Sequence, residues 1–241
     1  MNLAQSLTRA LKHHHTIHFN AALPISIEVL EKVGYGRYRL KVGHKEMTTK
    51  SHKELEARAR YWGNFTESKE GILTISHLRP KPRVLQSDEH LLEMESFGFL
   101  TLLLESKEPS LVLKQWLLNE LYHAQSKVFF HTLTSMLLAL HEGIVHLPLR
   151  IEGRQFLLQW REYKSLNDTL IDFYLAYENL GALRGTLNPM KHTLSLETLF
   201  ERTALFLSHH TSTLPYAITF SLNDTLEPLW EGTHALLDVR G

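Results

Sequence analysis

Residues 170–187 carry the pattern that most constrains the fold of this chain. Apolar and polar residues alternate along Leu-Ile-Asp-Phe-Tyr-Leu-Ala-Tyr, Glu-Asn-Leu-Gly interrupts them, and the alternation resumes at residue 182. Because successive side chains of a β-strand point to opposite faces of the sheet, such alternation predicts a half-buried strand. The segment therefore predicts strands over residues 171–177 and 182–187, joined by a turn at residues 178–181.

Changes in residue period and in glycine and proline content divide the 241 residues into four zones. Residues 1–20 predict a short amphipathic helix with a histidine-rich tail, because leucine recurs there at every fourth position. Residues 21–86 predict a small antiparallel, barrel-like β domain, since short alternating segments are separated by glycine turns. Residues 87–143 predict a helical region, and residues 144–241 a carboxy-terminal β-β-α-β domain. The predicted class is therefore α+β.

Individual elements can be placed within the two β zones. In the amino-terminal zone, four short segments predict strands: residues 25–29, 37–42, 46–49 and 71–75. In the carboxy-terminal zone, four segments predict strands beyond the pair already described: residues 156–160, 193–196, 216–222 and 235–239. A leucine and phenylalanine pattern at helical spacing predicts one helix between them, over residues 199–210.

Composition narrows the classes of function. The 26 basic and 26 acidic residues cancel, so the chain has no overall field to attract nucleic acid or anionic lipid. The absence of cysteine excludes disulfides, thiolate catalysis and cysteine-bound metal. The first residues lack a signal-peptide pattern, and the uncharged stretches 128–141 and 203–223 are too short or too polar to span a bilayer. These features predict a soluble, cytoplasmic protein.

Motifs for nucleophilic or phosphate chemistry are missing from the sequence. There is no Gly-x-Ser-x-Gly elbow, and Gly34-Tyr35-Gly36 lacks both the third glycine and the Lys-Ser or Lys-Thr of a phosphate loop. Asp168 and Asp172 lie four residues apart, as an acid–base pair on one strand face would, but Asn167-Asp168 is more typical of a turn. We therefore predict that the chain is not an enzyme and has no cofactor.

The 16 histidines do not form a recognisable metal motif. His141-Glu142 is followed by Val145 where a second ligand would be required. A polar terminal run does not fix ligands in the geometry that a metal needs, so we predict a solvated tail and no metal site at four clustered histidines, His13, His14, His15 and His18.

Two basic segments allow an alternative function. Residues 79–83, Arg-Pro-Lys-Pro-Arg, are most simply interpreted as a stiff linker. Arg37, Arg39 and Lys41 alternate along one predicted strand and share a face. That face is either a solvated outer surface or, in the alternative reading, the nucleic-acid-binding surface of a small barrel.

Residues 147–200 resemble the carboxy-terminal domain of flagellar hook-length control (FliK-like) proteins. The resemblance rests on Leu-Pro-Leu-Arg-Ile-Glu-Gly at residues 147–153 and on Tyr-Glu-Asn-Leu-Gly-Ala-Leu-Arg-Gly-Thr-Leu at residues 177–187. These domains carry an acidic-x-Leu-Gly-x-Val turn followed by a strand, a helix and a closing strand. Glu178, Leu180 and Gly181 match that turn, and Leu183 replaces the usual valine. The long Gln- and Ser-rich amino-terminal half typical of the measuring proteins is not present in the sequence.

The resemblance implies a non-catalytic role in the bacterial flagellum. It implies contact with the cytoplasmic domain of an FlhB-type export gate, which would switch type III export from hook to filament substrates, in the cytoplasm or during passage through the flagellar apparatus. Glycine lets a backbone approach a partner closely. Plain hairpin geometry is an equally good reading of Leu180-Gly181. The partner-binding residues that the resemblance implies are Glu178, Leu180, Gly181 and Leu183.

Overall fold

Two β-sheets organise the part of the chain that the structure, a computed structural model, describes. The described residues are 23–51, 53–67, 73–165 and 168–232. The predicted amino-terminal helix, the histidine cluster at residues 13–18 and the predicted strand at residues 235–239 lie outside them. The mixed α+β class predicted from the sequence is confirmed.

The amino-terminal sheet has five antiparallel strands in the order β3-β2-β1-β4-β5. Their bounds are Ile25–Gly34 (β1), Arg37–Val42 (β2), Lys45–Lys50 (β3), Arg60–Glu67 (β4) and Leu73–Pro80 (β5). The sequence did not indicate β4. Among the described residues no pairing joins β3 to β5, so the predicted barrel is not confirmed. Alternation places one apolar face in a small core of Ile25, Ile27, Val29, Tyr38, Leu40 and Val42.

A mainly helical stretch follows this sheet. It contains a 3₁₀ turn at Arg83–Leu85, the short strand Leu92–Met94 (β6) and the helices Gly98–Glu105 (α1), Pro109–His123 (α2) and Lys127–His141 (α3). The proline opens α2 at a position where its missing N–H is not needed. Ser126 caps α3 by accepting a hydrogen bond from the Phe129 N–H. Within the predicted helical region of residues 87–143, the helices begin only at Gly98. Residues 87–97 form turns and β6, which is too short to show a period.

The second sheet has seven strands in the order β12-β11-β10-β9-β8-β7-β6. The strands that follow β6 are Val145–Ile151 (β7), Arg154–Ser165 (β8), Asp168–Tyr177 (β9), Gly181–Asn188 (β10), Thr193–Thr198 (β11) and Ala217–Leu222 (β12). A helix, Glu201–His210 (α4), connects β11 to β12, which pair in parallel, as do β6 and β7. The predicted strand pair around the turn at residues 178–181 is confirmed, and so is the strand, helix and strand order after it.

The two faces of the large sheet are covered by different parts of the chain. Leu147, Leu149 and Phe156 point to the face on which α1, α2 and α3 pack, where they form the largest core. The neighbouring positions Leu157, Tyr174 and Ala176 point to the opposite face because side chains alternate along strands. There they pack with Trp62 of β4, so the small sheet is joined to the large one through buried apolar surface.

Residues 223–232, the closing segment, tie both sheets together after β12. Asp224 pairs with Arg79 of β5. Buried Gln159 of β8 accepts hydrogen bonds from the backbone N–H groups of Leu229 and Trp230, at 2.7 and 3.3 Å. Its amide nitrogen donates to the Trp230 carbonyl and to Nδ1 of His146, at 2.7 and 2.8 Å. Within the described residues, no helix is both long and apolar enough to cross a membrane.

The burial of His146 makes the free energy of unfolding depend on pH. Burial lowers the pKa of His146 to about 3 in the folded protein, against 6.5 as its ordinary value. Below pH 6.5 the unfolded chain therefore binds a proton that the folded one does not, so stability falls as the pH falls. The loss is expected to approach 1.4 kcal/mol per pH unit, a rough upper limit for one group.

Chemical denaturation between pH 5 and 6.5 tests this expectation. His146→Gln should show a shallower pH dependence of the free energy of unfolding than wild type, because the titrating group is gone. His44→Gln, at an exposed turn position, is the control and should keep the wild-type dependence. Equal slopes for wild type and His146→Gln would contradict the account.

Candidate partner-binding site

The turn between β9 and β10 is a tight connection of three residues, 178–180. The Leu180 N–H donates to the Tyr177 carbonyl at 3.3 Å, and Gly181 resumes the ladder opposite Tyr177. Gly181 has a φ of +75°, in the left-handed region that glycine adopts without strain. The position therefore favours glycine on conformational grounds.

A second constraint on Gly181 comes from packing inside the chain. A Cβ built at this position would lie 2.8 Å from the ring of Phe200, the residue before α4. The Thr203 hydroxyl of α4 donates to the Leu180 carbonyl at 2.9 Å. The backbone of the turn is therefore held by the connection between β11 and α4, and the close approach that glycine permits is to Phe200.

The four residues implied by the resemblance have different exposures. Glu178 and Leu180 are half-buried, so part of each side chain reaches the surface. Gly181 is buried, and Leu183 is only 3% exposed. Glu178 and Leu180, together with exposed Asn179, form the accessible part of the turn, and Leu183 belongs to the core.

A polar cluster lies close to the turn, at the junction of the two sheets. Lys81 is 4% exposed, and its Nζ donates to Oε1 of Gln155 at 3.0 Å. The Gln155 amide nitrogen donates to Oδ1 of Asp88 at 2.8 Å and to the Leu85 carbonyl at 3.1 Å. Both guanidinium nitrogens of Arg60 contact the Asp88 carboxylate, at 2.8 and 3.1 Å. We call Arg60, Lys81, Asp88 and Gln155 the junction cluster.

Electrostatics connects the junction cluster to the turn. Burial lowers the pKa of the Lys81 amine to about 8, against a smaller opposing attraction by the Glu178 carboxylate. Arg60 and Arg154 are also attracted by Glu178. Hydrogen bonding from Arg60 is the main reason that the pKa of Asp88 is lowered. The charge of Glu178 is therefore partly balanced by cations of its own chain.

Sequence reasoning missed the junction cluster. The sequence predicts a stiff linker over residues 79–83, and this segment does connect the two sheets, but Lys81 and Pro82 are buried. The sequence signal was a lysine between two prolines, which fixes the backbone but gives no indication of burial. Gln155 is 74 residues away from Lys81 in the chain, so no local pattern could have joined them.

The basic face predicted as an alternative site lies on β2. Arg37, Arg39 and Lys41 are all exposed on one side of the strand. Arg39 lies 3.1 Å from Glu31 and 4.0 Å from Glu46, each in a neighbouring strand. Acidic neighbours therefore reduce the positive field of this face.

The aspartate pair has structural partners. Asp168 is the first residue of β9, where the sequence favoured a turn, and it contacts Lys191 at 2.6 Å. Asp172 contacts Arg161 at 3.1 Å and accepts a hydrogen bond from Thr186 at 2.7 Å. Asp168 lies opposite Ser165 in the pairing of β9 with β8, which explains why strand structure begins at Asp168.

Neither a metal-binding cluster nor a comparison with known proteins assigns a function to the described residues. Within residues 23–232, leaving aside the undescribed gaps, no group of three or more histidine, cysteine or acidic side chains is placed to hold a metal. Comparison with protein-family models, curated proteins and solved structures finds no match for this chain.

Replacing Gly181 by alanine should destabilise the protein for two separable reasons. The left-handed φ costs about 1–2 kcal/mol for a residue with a Cβ, and the overlap with Phe200 adds about 1–3 kcal/mol. Gly153→Ala is the matched control, since Gly153 has a φ of +76° with no atom within 4 Å of the added Cβ. Equilibrium unfolding should show a clearly larger loss of unfolding free energy for Gly181→Ala than for Gly153→Ala. Equal losses in the two variants would contradict the role given to Phe200.

Replacing Lys81 by methionine should remove one contribution to the pH dependence of the free energy of unfolding. Between pH 8 and about 10.5 the unfolded chain keeps a proton that folded Lys81 has lost, so wild-type stability rises with pH relative to Lys81→Met. The slope of the difference should approach about 1.4 kcal/mol per pH unit. Exposed Lys41→Met is the control and should follow wild type. A parallel pH dependence in wild type and Lys81→Met would show that Lys81 is not buried in this way.

Proposed function

We propose that this chain is a non-catalytic regulator of flagellar protein export, similar to hook-length control proteins. In this proposal residues 144–241 are a carboxy-terminal domain of that type. The domain binds the cytoplasmic part of an FlhB-type export gate, in the cytoplasm or on passage through the flagellar apparatus, and switches the export machinery between substrate classes.

The observation that carries the proposal is the β9–β10 turn in its surroundings. The sequence Glu-Asn-Leu-Gly lies between two paired strands, and a strand, a helix and a parallel strand follow it. This order is the one that the resemblance implies. The start of α4 also contacts the turn at two points, through Phe200 against Gly181 and through Thr203 on the Leu180 carbonyl.

Such a turn suits recognition because its backbone is ordered before a partner binds. Pre-ordering reduces the conformational entropy that binding must overcome. Glu178 supplies a charge and Leu180 an apolar surface, both partly accessible. Charged and polar groups at a rim mainly set specificity and association rate, while a desolvated apolar contact contributes most of the affinity.

Calorimetric titration with the purified cytoplasmic domain of an FlhB-type protein tests the proposal. Wild type should bind, and Glu178→Lys and Leu180→Ala should each weaken binding by roughly tenfold or more. Glu142→Lys is the control for the charge change, since Glu142 is exposed at the end of α3. Circular dichroism of each variant should match wild type.

Two results would contradict the proposal. One is the absence of measurable binding together with normal hook length in a strain that lacks the gene. The other is a salt-sensitive shift of nucleic acid in a gel that disappears on changing Arg37 and Arg39, which would favour the β2 face as the functional surface.

A further inference from the structure

The closing segment covers a polar part of the large sheet, although it contains neither helix nor strand. Beneath it lie Gln159 and His146, which are 0% and 3% exposed. The apolar residues of the segment itself, Leu226, Leu229 and Trp230, are only half-buried. A fully buried polar surface is therefore covered by a segment that is partly exposed to solvent.

The Gln159 amide holds the closing segment by its backbone. Its oxygen accepts hydrogen bonds from the N–H groups of Leu229 and Trp230, at 2.7 and 3.3 Å, and its nitrogen donates to the Trp230 carbonyl at 2.7 Å. A glutamine amide carries both donors and acceptors, so it pairs with peptide groups whatever side chains they carry. Main-chain hydrogen bonds of this kind are also the way in which proteins bind extended peptides.

The other contacts of the closing segment allow it to leave while both sheets stay folded. Asn223 fixes its start, because the backbone N–H donates to a carbonyl of β11 at 3.0 Å. The ion pair of Asp224 with Arg79 has one exposed partner and contributes little stability. Among the residues that the structure describes, residues 225–228 make no hydrogen bond to either sheet. Water can replace the backbone partners of the Gln159 amide on release, and segments with few contacts open locally.

We propose that the closing segment is a releasable strap, and that the surface beneath it binds an extended segment of a partner protein once the strap is released. We call that surface, with Gln159 and His146 at its floor, the strap groove. In the closed state the strap occupies the groove as an internal ligand, so strap and partner compete for the same amide. The closed–open equilibrium therefore regulates binding, because the partner binds only the open fraction of the protein.

The contacts of the strap define the chemistry of that partner segment. Asp224 pairs with Arg79 at the rim. Leu226 and Leu229 pack against the core that joins the two sheets, and the ring of Trp230 lies against the groove floor. The groove therefore fits an extended segment with an acidic residue followed by two leucines and a tryptophan. A tethered ligand has an effective concentration on the order of millimolar, so the closed wild-type chain should bind such a segment weakly.

Fluorescence anisotropy with a labelled peptide tests the groove, the peptide being residues 223–232, Asn-Asp-Thr-Leu-Glu-Pro-Leu-Trp-Glu-Gly. Full-length Trp230→Ala has a weakened strap above an unchanged groove, so it should bind the peptide at least roughly tenfold more tightly than wild type does. Trp116→Ala is the matched control, since Trp116 is a half-buried tryptophan of α2, and it should bind as weakly as wild type. Adding Gln159→Leu to Trp230→Ala should abolish the gain. Circular dichroism should show each variant folded.

Amide hydrogen exchange of the wild-type chain at low denaturant concentration tests release of the strap itself. The N–H groups of Leu229 and Trp230 should exchange faster than those of β8 and independently of denaturant, because local opening exposes little surface. Exchange of these two groups only through global unfolding would overturn the proposal, as would equal peptide binding by Trp230→Ala and Trp116→Ala. Neither result bears on export-gate binding, because the β9–β10 turn is not part of the strap groove.

Discussion

The ring of Phe200 lies against the backbone of Gly181, and the position of the β9–β10 turn depends on that contact. The ring occupies the space in which any other residue at position 181 would place its Cβ. It also brings the start of α4 under the turn, so that Thr203 can hold the Leu180 carbonyl. One glycine therefore joins the local geometry of the hairpin to the crossover that ends the large sheet.

The junction cluster performs a similar role between the two sheets. A buried ammonium is costly, and Lys81 is held by an amide, Gln155, and not by a direct carboxylate partner among the described residues. The attraction of Glu178 and, to a smaller extent, of Asp88 reduces that cost, whereas the positive charge of the neighbouring Arg60 adds to it. Because Glu178 belongs to the turn, a partner that neutralises its carboxylate would also weaken the attraction that Glu178 exerts on Lys81 at the junction of the sheets. The turn and the junction are thus coupled electrostatically.

Local periodicity in the sequence was sufficient to predict much of the fold. The strands β9 and β10 were predicted because their side chains alternate between a core and a less buried face. The strand β4 was missed because Gly63 interrupts its pattern, and glycine is there because a Cβ would lie 2.9 Å from Ile75. The strand β6 has three residues, too few for a period.

The candidate site was less accessible to sequence reasoning than the fold. Glu178, Leu180 and Gly181 could be named from a short motif, but the burial of Leu183 depends on pairing with β9 and β11. Lysine is almost always exposed, so nothing marked Lys81 as buried. Its partner Gln155 is brought to it by the packing of one sheet on another. Contacts of this kind come from tertiary structure, which a pattern in one segment does not encode.

Amide hydrogen exchange with and without an FlhB-type cytoplasmic domain tests the central claim most directly. Binding should slow exchange at residues 177–181 and at the start of α4, where Phe200 and Thr203 support the turn. The exposed face of β2 should exchange as it does in the free protein. Unchanged exchange at the turn with saturating partner, or protection confined to another surface, would contradict the proposal that the turn binds the partner.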